Sequence, residues 1–257
     1  MIYTDQMNNS ILLSTTPKRI VCLVPSITEL LVDLNLEDKI IGITKFCIEP
    51  FYIRKKCTIV GGTKKLNLDK IKELNPDFII ANKEENNLKD IVELKKSFKI
   101  WISDVKTIED NNYLIEQLGK IFKKEIEAER ILTITNDIIK NLNNKIFNKK
   151  VLYLIWKNPF MTVGYDTFIH EIISKIGLNN CIKETRYPII DLNNYKNVEF
   201  VFLSSEPYPF NENDLKEIQE CFPDSKVFLV DGTYFSWYGS RISKSKEYFE
   251  KFIAILE

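Results

Sequence analysis

Aromatic side chains are concentrated in three segments of the second half of the sequence, each of which follows a predicted strand. Because loops are normally polar, large rings at these places could form a stacking wall for a large, flat or amphipathic ligand. The alternative is that the rings pack against the domain beneath them and hold their loops in place. The rings concerned are those of Trp156, Phe160, Tyr165, Tyr208, Phe210, Tyr234, Phe235, Trp237 and Tyr238.

Three charged residues, Arg186, Glu206 and Arg241, lie within or beside this aromatic set. Their charges could orient polar substituents of a ligand. Glu206 and Arg241 could instead pair with each other, and the sequence leaves both interpretations open.

The first half of the chain supplies further ligand-binding candidates at predicted strand ends, namely Ser26, Lys45 and Phe46. Ser26 falls at the start of a predicted helix, where backbone amides can hold an anion. Its alternative role is to cap that helix, in a capping box with Glu29.

Catalytic and metal-binding patterns are weak. His170 is the only histidine, so a His-rich metal site and a Ser-His-Asp triad are both excluded. Cys47 and Glu49 offer two metal ligands in one loop, which is weak evidence for a site, and the five cysteines form no CxxC pair. We therefore expect no enzyme, no intrinsic cofactor and no metal held by the protein alone.

Composition and motifs argue against several partners. Lys plus Arg and Asp plus Glu both number 36, so no basic excess indicates nucleic-acid binding. No phosphate-binding glycine motif follows a strand, which disfavours nucleotides. No apolar run reaches 18 residues, so we expect no membrane span.

The N-terminus does not resemble a signal peptide. The expected location is therefore cytoplasmic if the sequence is complete as given, and periplasmic or at the cell surface if the native gene encodes a signal peptide. We expect a monomer.

Buried apolar runs alternate with amphipathic segments along the chain, a pattern that predicts an α/β fold with parallel sheets covered by helices. The expected organisation is two Rossmann-like lobes, residues 1–120 and 147–257, joined by one long rigid helix over residues 121–146. No Gly or Pro occurs between Gly119 and Pro159. Such a helix would span roughly 35–40 Å, and a ligand cleft would lie between the lobes.

Several strings resemble the substrate-binding proteins of ABC importers for cobalamin and iron chelates, also called helical-backbone metal receptors. They are "RIVCLVPSITEL" from Arg19, "IIGITKF" from Ile40, "VGGTKKLNLDKIKELNPDFIIA" from Val60, and the long helix. The resemblance covers nearly the whole chain. It implies two lobes, a rigid connecting helix, a small-molecule ligand in the cleft, and no enzymatic activity.

The resemblance also implies roles for particular residues. In cobalamin-binding members aromatic side chains on the cleft loops hold the corrinoid, and the loop Trp of those members aligns with Tyr234, beside Phe235. Members dock an ABC transporter permease through one acidic residue in each lobe. Asp69 fits the first position, and Asp191 is the acid nearest the second.

The leading hypothesis is thus a protein that binds a cobalamin-like corrinoid or an iron chelate for ABC-type uptake. Two alternatives stay open. One is a cytoplasmic enzyme or cofactor-handling protein on the same fold. The other is a binder of free metal through Cys47, Glu49 and Glu206.

Overall fold

Short, mostly buried strands form a parallel sheet in the first half of the chain, as their continuous apolar runs predict. The computed structural model describes residues 1–142 and 147–256. The sheet has the strand order β5-β4-β3-β8-β9, with all neighbours parallel. Two hairpins, β1–β2 and β6–β7, lie outside it. The strands are β1 (Ile2–Thr4), β2 (Ser10–Leu12), β3 (Ile20–Cys22), β4 (Ile40–Ile43), β5 (Thr58–Ile59), β6 (Gly61–Gly62), β7 (Lys65–Leu66), β8 (Phe78–Asn82) and β9 (Ile100–Ser103).

Helices connect these strands, and one face of the sheet packs into an apolar core with buried Leu23, Ile79 and Leu94 among its members. Helix α3 begins with a polar N-cap, because the Asn67 side chain accepts a hydrogen bond from Lys70 N. The helices are α1 (Pro25–Asp33), α2 (Ile53–Lys56), α3 (Leu68–Leu74), α4 (Leu88–Lys95) and α5 (Ile108–Phe122).

The second half of the chain repeats the α/β theme. Strands β12, β10, β13 and β14 pair in parallel, and β11 adds an antiparallel edge to β10. The strands are β10 (Lys150–Trp156), β11 (Met161–Thr162), β12 (Asn179–Asn180), β13 (Phe200–Ser204) and β14 (Lys226–Val230). The helices are α7 (Phe168–Lys175), α8 (Glu212–Cys221), α9 (Thr233–Ser236) and α10 (Lys246–Leu256). The predicted fold class, α/β with parallel sheets, is thus confirmed.

The long helix begins four residues later than predicted. Helix α5 continues to Phe122, Lys123 has a left-handed backbone with φ of 58°, and the next helix, α6 (Glu125–Leu142), begins after this break. Its 18 residues span about 27 Å. Residues 143–146, the last predicted turn, lie outside the described residues.

The chain forms two compact units. The first comprises Met1–Val105, Glu109–Thr135 and Tyr238–Lys244, and the second comprises Lys106–Ile108, Asn136–Trp237 and Ser245–Glu257. Helix α6 therefore contributes residues to both. The expected limits of 1–120, 121–146 and 147–257 do not anticipate the return of Tyr238–Lys244 to the first unit.

The predicted capping box at Ser26 is wrong. Helix α1 begins at Pro25, its N-cap is Val24, and no side chain caps it. Proline is favoured at the first helical position, because its missing N–H would have no helical partner there. Glu29 does not reach back to Ser26; its carboxylate contacts Arg241 and Lys244.

Candidate functional site

Three aromatic residues of the second unit lie close to strand ends and keep part of their surface exposed. Trp156 is the last residue of β10 and is 40% exposed, Tyr165 is 54% exposed, and Tyr208 follows β13 and is half-buried. The rings of Trp156 and Tyr208 meet edge to face, with centroids 5.8 Å apart. We call Trp156, Tyr165 and Tyr208 the exposed aromatic set, because each keeps part of its surface exposed, although Tyr208 also packs against Phe210 with centroids 4.7 Å apart.

The aromatic residues after β14 are in a different environment. Phe235 is completely buried, and its ring centroid lies 5.3 Å from that of Tyr153 and 6.2 Å from that of Phe202. Tyr234 stacks on Tyr248 at 4.2 Å. These two rings hold α9 on the core of the second unit, as the alternative interpretation expected, and a ligand-binding role for them stays a prediction.

Trp237 and Glu206 contact each other. The indole Nε1 of Trp237 donates to Oε1 of Glu206 at 2.8 Å, and Ser236 Oγ donates to the same oxygen. Trp237 is only 6% exposed. The backbone approaches closely here, since a Cβ on Gly232 would lie 2.8 Å from Cγ of Glu206. Glu206 thus fastens the loop after β14 to the loop after β13.

Tyr238 and Arg241 belong to the first unit, although the sequence suggested that they extend the aromatic loop of the second. The Tyr238 hydroxyl accepts a hydrogen bond from Asn82 Nδ2 at 2.8 Å and donates to Glu85 at 3.3 Å. Burial is the main reason that the pKa of Tyr238 is raised well above its ordinary value.

Arg241 pairs with Glu29, with 3.0 Å between Nε and Oε2. Lys244 contacts Glu29 at 2.9 Å and also pairs with Asp33. The carboxylate partner of Arg241 is thus on α1, whereas Glu206 accepts from Trp237. The contacts with Glu29 and Asp33 anchor the segment 238–244 on helix α1.

Arg186 belongs to a segment that pairs with the backbone next to Tyr165, and it has an acidic neighbour, Asp166. Its backbone has a φ of 60°, its N–H donates to Oδ1 of Asp166 at 2.6 Å, and its Nε lies 3.2 Å from Oδ2 of the same carboxylate. The segment that contains Arg186 runs along Gly164, whose N–H donates to Arg186 O. Asp166 therefore fixes the position of Arg186 near Tyr165.

The candidates of the first unit divide into a buried and an exposed group. Ser26 lies within α1 and is 3% exposed. Lys45 and Phe46 follow β4 and are both exposed, and the Lys45 ammonium lies 5.0 Å from the centroid of the Phe46 ring. Of these three candidates, Lys45 and Phe46 are therefore the two that a ligand could reach on the surface of this unit.

Asn86 organises the strand ends of the first unit, and the sequence interpretation did not single it out. Its Oδ1 accepts from Asn82 N at 2.8 Å, and its Nδ2 donates to Leu23 O at 3.3 Å and to Thr63 O at 3.1 Å. It thereby joins the ends of β3 and β8 to the β6–β7 hairpin. The exposed side chains of Tyr187 and Ile189 in the second unit were missed as well.

Cys47, a ligand in the free-metal alternative, is completely buried, and its Sγ lies 3.2 Å from Thr28 Oγ1 and 3.4 Å from Thr44 Oγ1. Burial is the main cause of its raised pKa, so the metal-binding thiolate form is disfavoured. Within residues 1–142 and 147–256, no group of three or more His, Cys, Asp or Glu side chains could hold a metal ion.

The two docking candidates are both exposed acids. Asp69 lies in the first turn of α3. Asp191 precedes a short 3-10 helix, Leu192–Tyr195, and its carboxylate accepts a hydrogen bond from the Asn193 N–H at 2.9 Å. A local structural role thus accounts for Asp191, and its docking role stays a prediction. Over the described part of the chain, no helix is long and apolar enough to cross a membrane.

Curated relatives are substrate-binding proteins. The chain is 25% identical over 189 residues to an uncharacterized ABC transporter substrate-binding lipoprotein, YvrC, of Bacillus subtilis, which covers 68% of this chain and 59% of that protein. It is 35% identical over 113 residues to a vitamin B12-binding protein of Vibrio vulnificus, covering 43% and 41% of the two chains. The matches therefore span about half the length of these relatives.

Solved structures show the same fold over a larger part of the chain. The periplasmic vitamin B12 binding protein BtuF of Vibrio cholerae superimposes with a TM-score of 0.79 at 20% identity, covering 93% of this chain and 98% of that one. The periplasmic heme binding protein HutB of the same species gives 0.76 at 19% identity, with 93% and 98% covered. At these identities the likeness concerns the fold alone.

A family model provides the decisive match. Residues 20–210, which include both parallel sheets except β14, match the model described as periplasmic binding protein. This range is well over half of the 257 residues. The chain therefore belongs to the periplasmic binding protein family.

Proposed function

We propose that this protein is the substrate-binding component of an ABC importer and that its ligand is a bulky metal chelate, a cobalamin-like corrinoid or an iron chelate. The observation that carries the proposal is the exposed aromatic set of the second unit. Trp156, Tyr165 and Tyr208 are partly exposed rings close to strand ends, and exposed aromatic rings can stack on a large flat ligand. Relatives named for vitamin B12, heme and petrobactin binding support this class of ligand.

Binding by stacking fits the chemistry of the described residues better than binding of a bare metal ion. A bare ion needs several converging ligands, and Cys47 is enclosed while Glu206 already accepts from Trp237 and Ser236. In a preformed chelate the metal is already coordinated by the chelator. The protein therefore needs to provide only an apolar contact surface and a few polar groups. No specific observation favours an enzyme on this fold.

Docking to a permease through Asp69 and Asp191, a monomeric state and a ligand position between the lobes belong to the same proposal. So does export, which depends on a signal peptide in the native gene. Each is an expectation that follows from the family, and each needs its own measurement.

A thermal-shift panel tests the proposal. The protein is incubated with cyanocobalamin, hemin, ferric siderophores, FeCl3 and ZnCl2, and a chelate that binds only the folded state is expected to raise the melting temperature in a concentration-dependent way. Free iron or zinc should have no such effect. Stabilisation by a bare metal and by none of the chelates would overturn the proposal.

A further inference from the structure

Three lysines lie in or beside the β6–β7 hairpin of the first unit, at the carboxyl end of its parallel sheet. Lys45 follows β4, Lys64 lies in the hairpin turn, and Lys65 begins β7. All three are exposed. We call them the hairpin lysines, and among them only Lys45 was a ligand-binding candidate on sequence grounds.

Backbone contacts bring the hairpin lysines together. Lys45 N donates to Gly61 O at 2.8 Å, which fixes the loop after β4 beside β6. Gly62 is paired with Lys65 across the hairpin. A Cβ on Gly62 would lie 3.3 Å from a ring carbon of Phe46 and 3.4 Å from Cε of Lys45, so these two side chains lie across the Gly62 backbone.

The hairpin is a fixed platform at the end of the sheet. Its Thr63 carbonyl accepts from Asn86 Nδ2, and the Lys64 ammonium donates to the backbone oxygen of Glu84. Both Glu84 and Asn86 follow β8, whereas the hairpin itself follows β5. Because β4 and β3 lie between β5 and β8 in the sheet, the hairpin extends over the carboxyl ends of these central strands.

The positive charges of the hairpin lysines are not neutralised by neighbouring carboxylates. Among residues 1–142 and 147–256, no ion pair involves Lys45, Lys64 or Lys65. The partner of Lys64 is a neutral carbonyl. The nearby Lys83 differs, because it pairs with Asp104 at 2.8 Å. Three such ammonium groups on two neighbouring segments, the loop after β4 and the β6–β7 hairpin, create a local positive potential that attracts anions.

The side chain of Phe46 adds an apolar surface to this charge. It is 49% exposed, and the Lys45 ammonium lies beside its ring. An apolar face flanked by cations matches a flat chelate whose edge carries carboxylates. We propose that the hairpin lysines bind carboxylate groups of the ligand and thereby select an anionic chelate over a neutral one. This inference rests on the proposed function and narrows its ligand class.

Two probes of opposite character test the selection. Hemin is a flat iron chelate that carries two carboxylates, whereas the side chains of cyanocobalamin end in amides. Both are titrated by intrinsic fluorescence quenching into the wild type and into the triple variant K45Q/K64Q/K65Q, at low and high salt. We expect hemin to bind the wild type more tightly than cyanocobalamin does, and to lose about tenfold or more of its affinity in the triple variant.

Two matched variants control for net charge and folding. K18Q/K99Q/K226Q removes the same charge from exposed lysines at the amino ends of β3, β9 and β14, and it should leave the hemin affinity within about twofold of the wild type. K45R/K64R/K65R keeps the charge and should retain hemin binding. Circular dichroism and melting temperature verify that each variant is folded.

The outcomes separate this inference from the proposed function. Hemin binding that is equal in the wild type and the triple variant, or cyanocobalamin bound in preference to hemin, would overturn the selection and leave a chelate-binding protein. Lysine-dependent sedimentation with anionic lipid vesicles, without lysine-dependent hemin binding, would assign the cluster to a membrane surface and overturn it too. If no chelate of either charge binds, both proposals fail.

Discussion

The indole Nε1 of Trp237 donates to Oε1 of Glu206 at 2.8 Å, and this bond joins the loops that follow two neighbouring strands, β13 and β14. Trp237 is also 6% exposed, so the sequence-based expectation of an open ligand-stacking ring does not match its surroundings. We therefore expect the Trp237 side chain to contribute mainly to the stability of the folded protein.

Replacing Trp237 with Ala should lower the free energy of unfolding by about 3–5 kcal/mol, since a large buried side chain is removed and Glu206 loses a donor. Urea denaturation followed by circular dichroism measures the change. Trp237→Phe should cost less because it keeps most of the apolar volume. An unchanged denaturation midpoint in Trp237→Ala would show that the ring is not part of the core.

Replacing Trp156 with Ala should have the opposite profile. The ring is 40% exposed and meets only the edge of Tyr208 among its aromatic neighbours in the described chain, so the free energy of unfolding should change by less than about 1 kcal/mol. Affinity for the chelate that gives the largest thermal shift should fall by about 1–3 kcal/mol. Titration of the wild type and the variant with that chelate measures the change in affinity. An unchanged affinity would show that Trp156 is not part of the binding surface.

Arg241 is expected to stabilise the first unit. Its side chain and that of Glu29 are 11% and 5% exposed, so Arg241→Ala leaves a buried carboxylate with Lys244 as its remaining cation. Removing one partner of a buried pair typically costs about 3–5 kcal/mol. Arg54→Ala, an exposed arginine of the same unit, serves as the control in chemical denaturation. Equal stabilities for the two variants would contradict the buried pair.

His170 should make stability depend on pH near neutrality. Burial lowers its pKa below the ordinary value, and this effect outweighs the attraction of Glu171 and Asp166. The Nδ1 atom faces the Asn180 side-chain amide at 3.3 Å, which favours an unprotonated acceptor. Because the folded pKa is depressed, the stabilising contribution is present above the unfolded pKa of about 6.5 and is lost as pH falls towards the folded value.

The variant His170→Gln isolates this effect, since the sequence has no other histidine. Between pH 7.5 and 5.5 the wild type should lose unfolding free energy, and the variant should lose less. Denaturation curves at several pH values provide the test. Parallel pH profiles for the two proteins would mean that His170 titrates alike in the folded and unfolded states.

Local signals predicted the fold well. Continuous apolar runs located the buried strands, and the alternation of these runs with amphipathic segments such as Ile108–Phe122, which forms helix α5, indicated the α/β class. The break at Lys123 was missed because its left-handed backbone carries no glycine or proline to mark it. The Ser26 capping box was a local pattern whose glutamate has stronger partners distant in sequence, Arg241 and Lys244.

The candidate site was predicted only in part, because strand-end position does not determine burial. Trp156 and Tyr208 are accessible, whereas Phe235, equally close to a strand end, is enclosed by Tyr153 and Phe202. Which rings face inward depends on tertiary packing that no periodicity encodes. The role of Asn86 was not visible either, since its three partners come from three separate segments.

The return of Tyr238–Lys244 to the first unit has a consequence for dissecting the protein. No single cut of the chain separates the two units, because the first is completed by seven residues that come after most of the second. A fragment that ends at residue 142 would keep Glu29 without Arg241 and Lys244, and Asn82 without the Tyr238 hydroxyl. Such a fragment would need those residues grafted back, or supplied as a separate peptide, to regain its native stability.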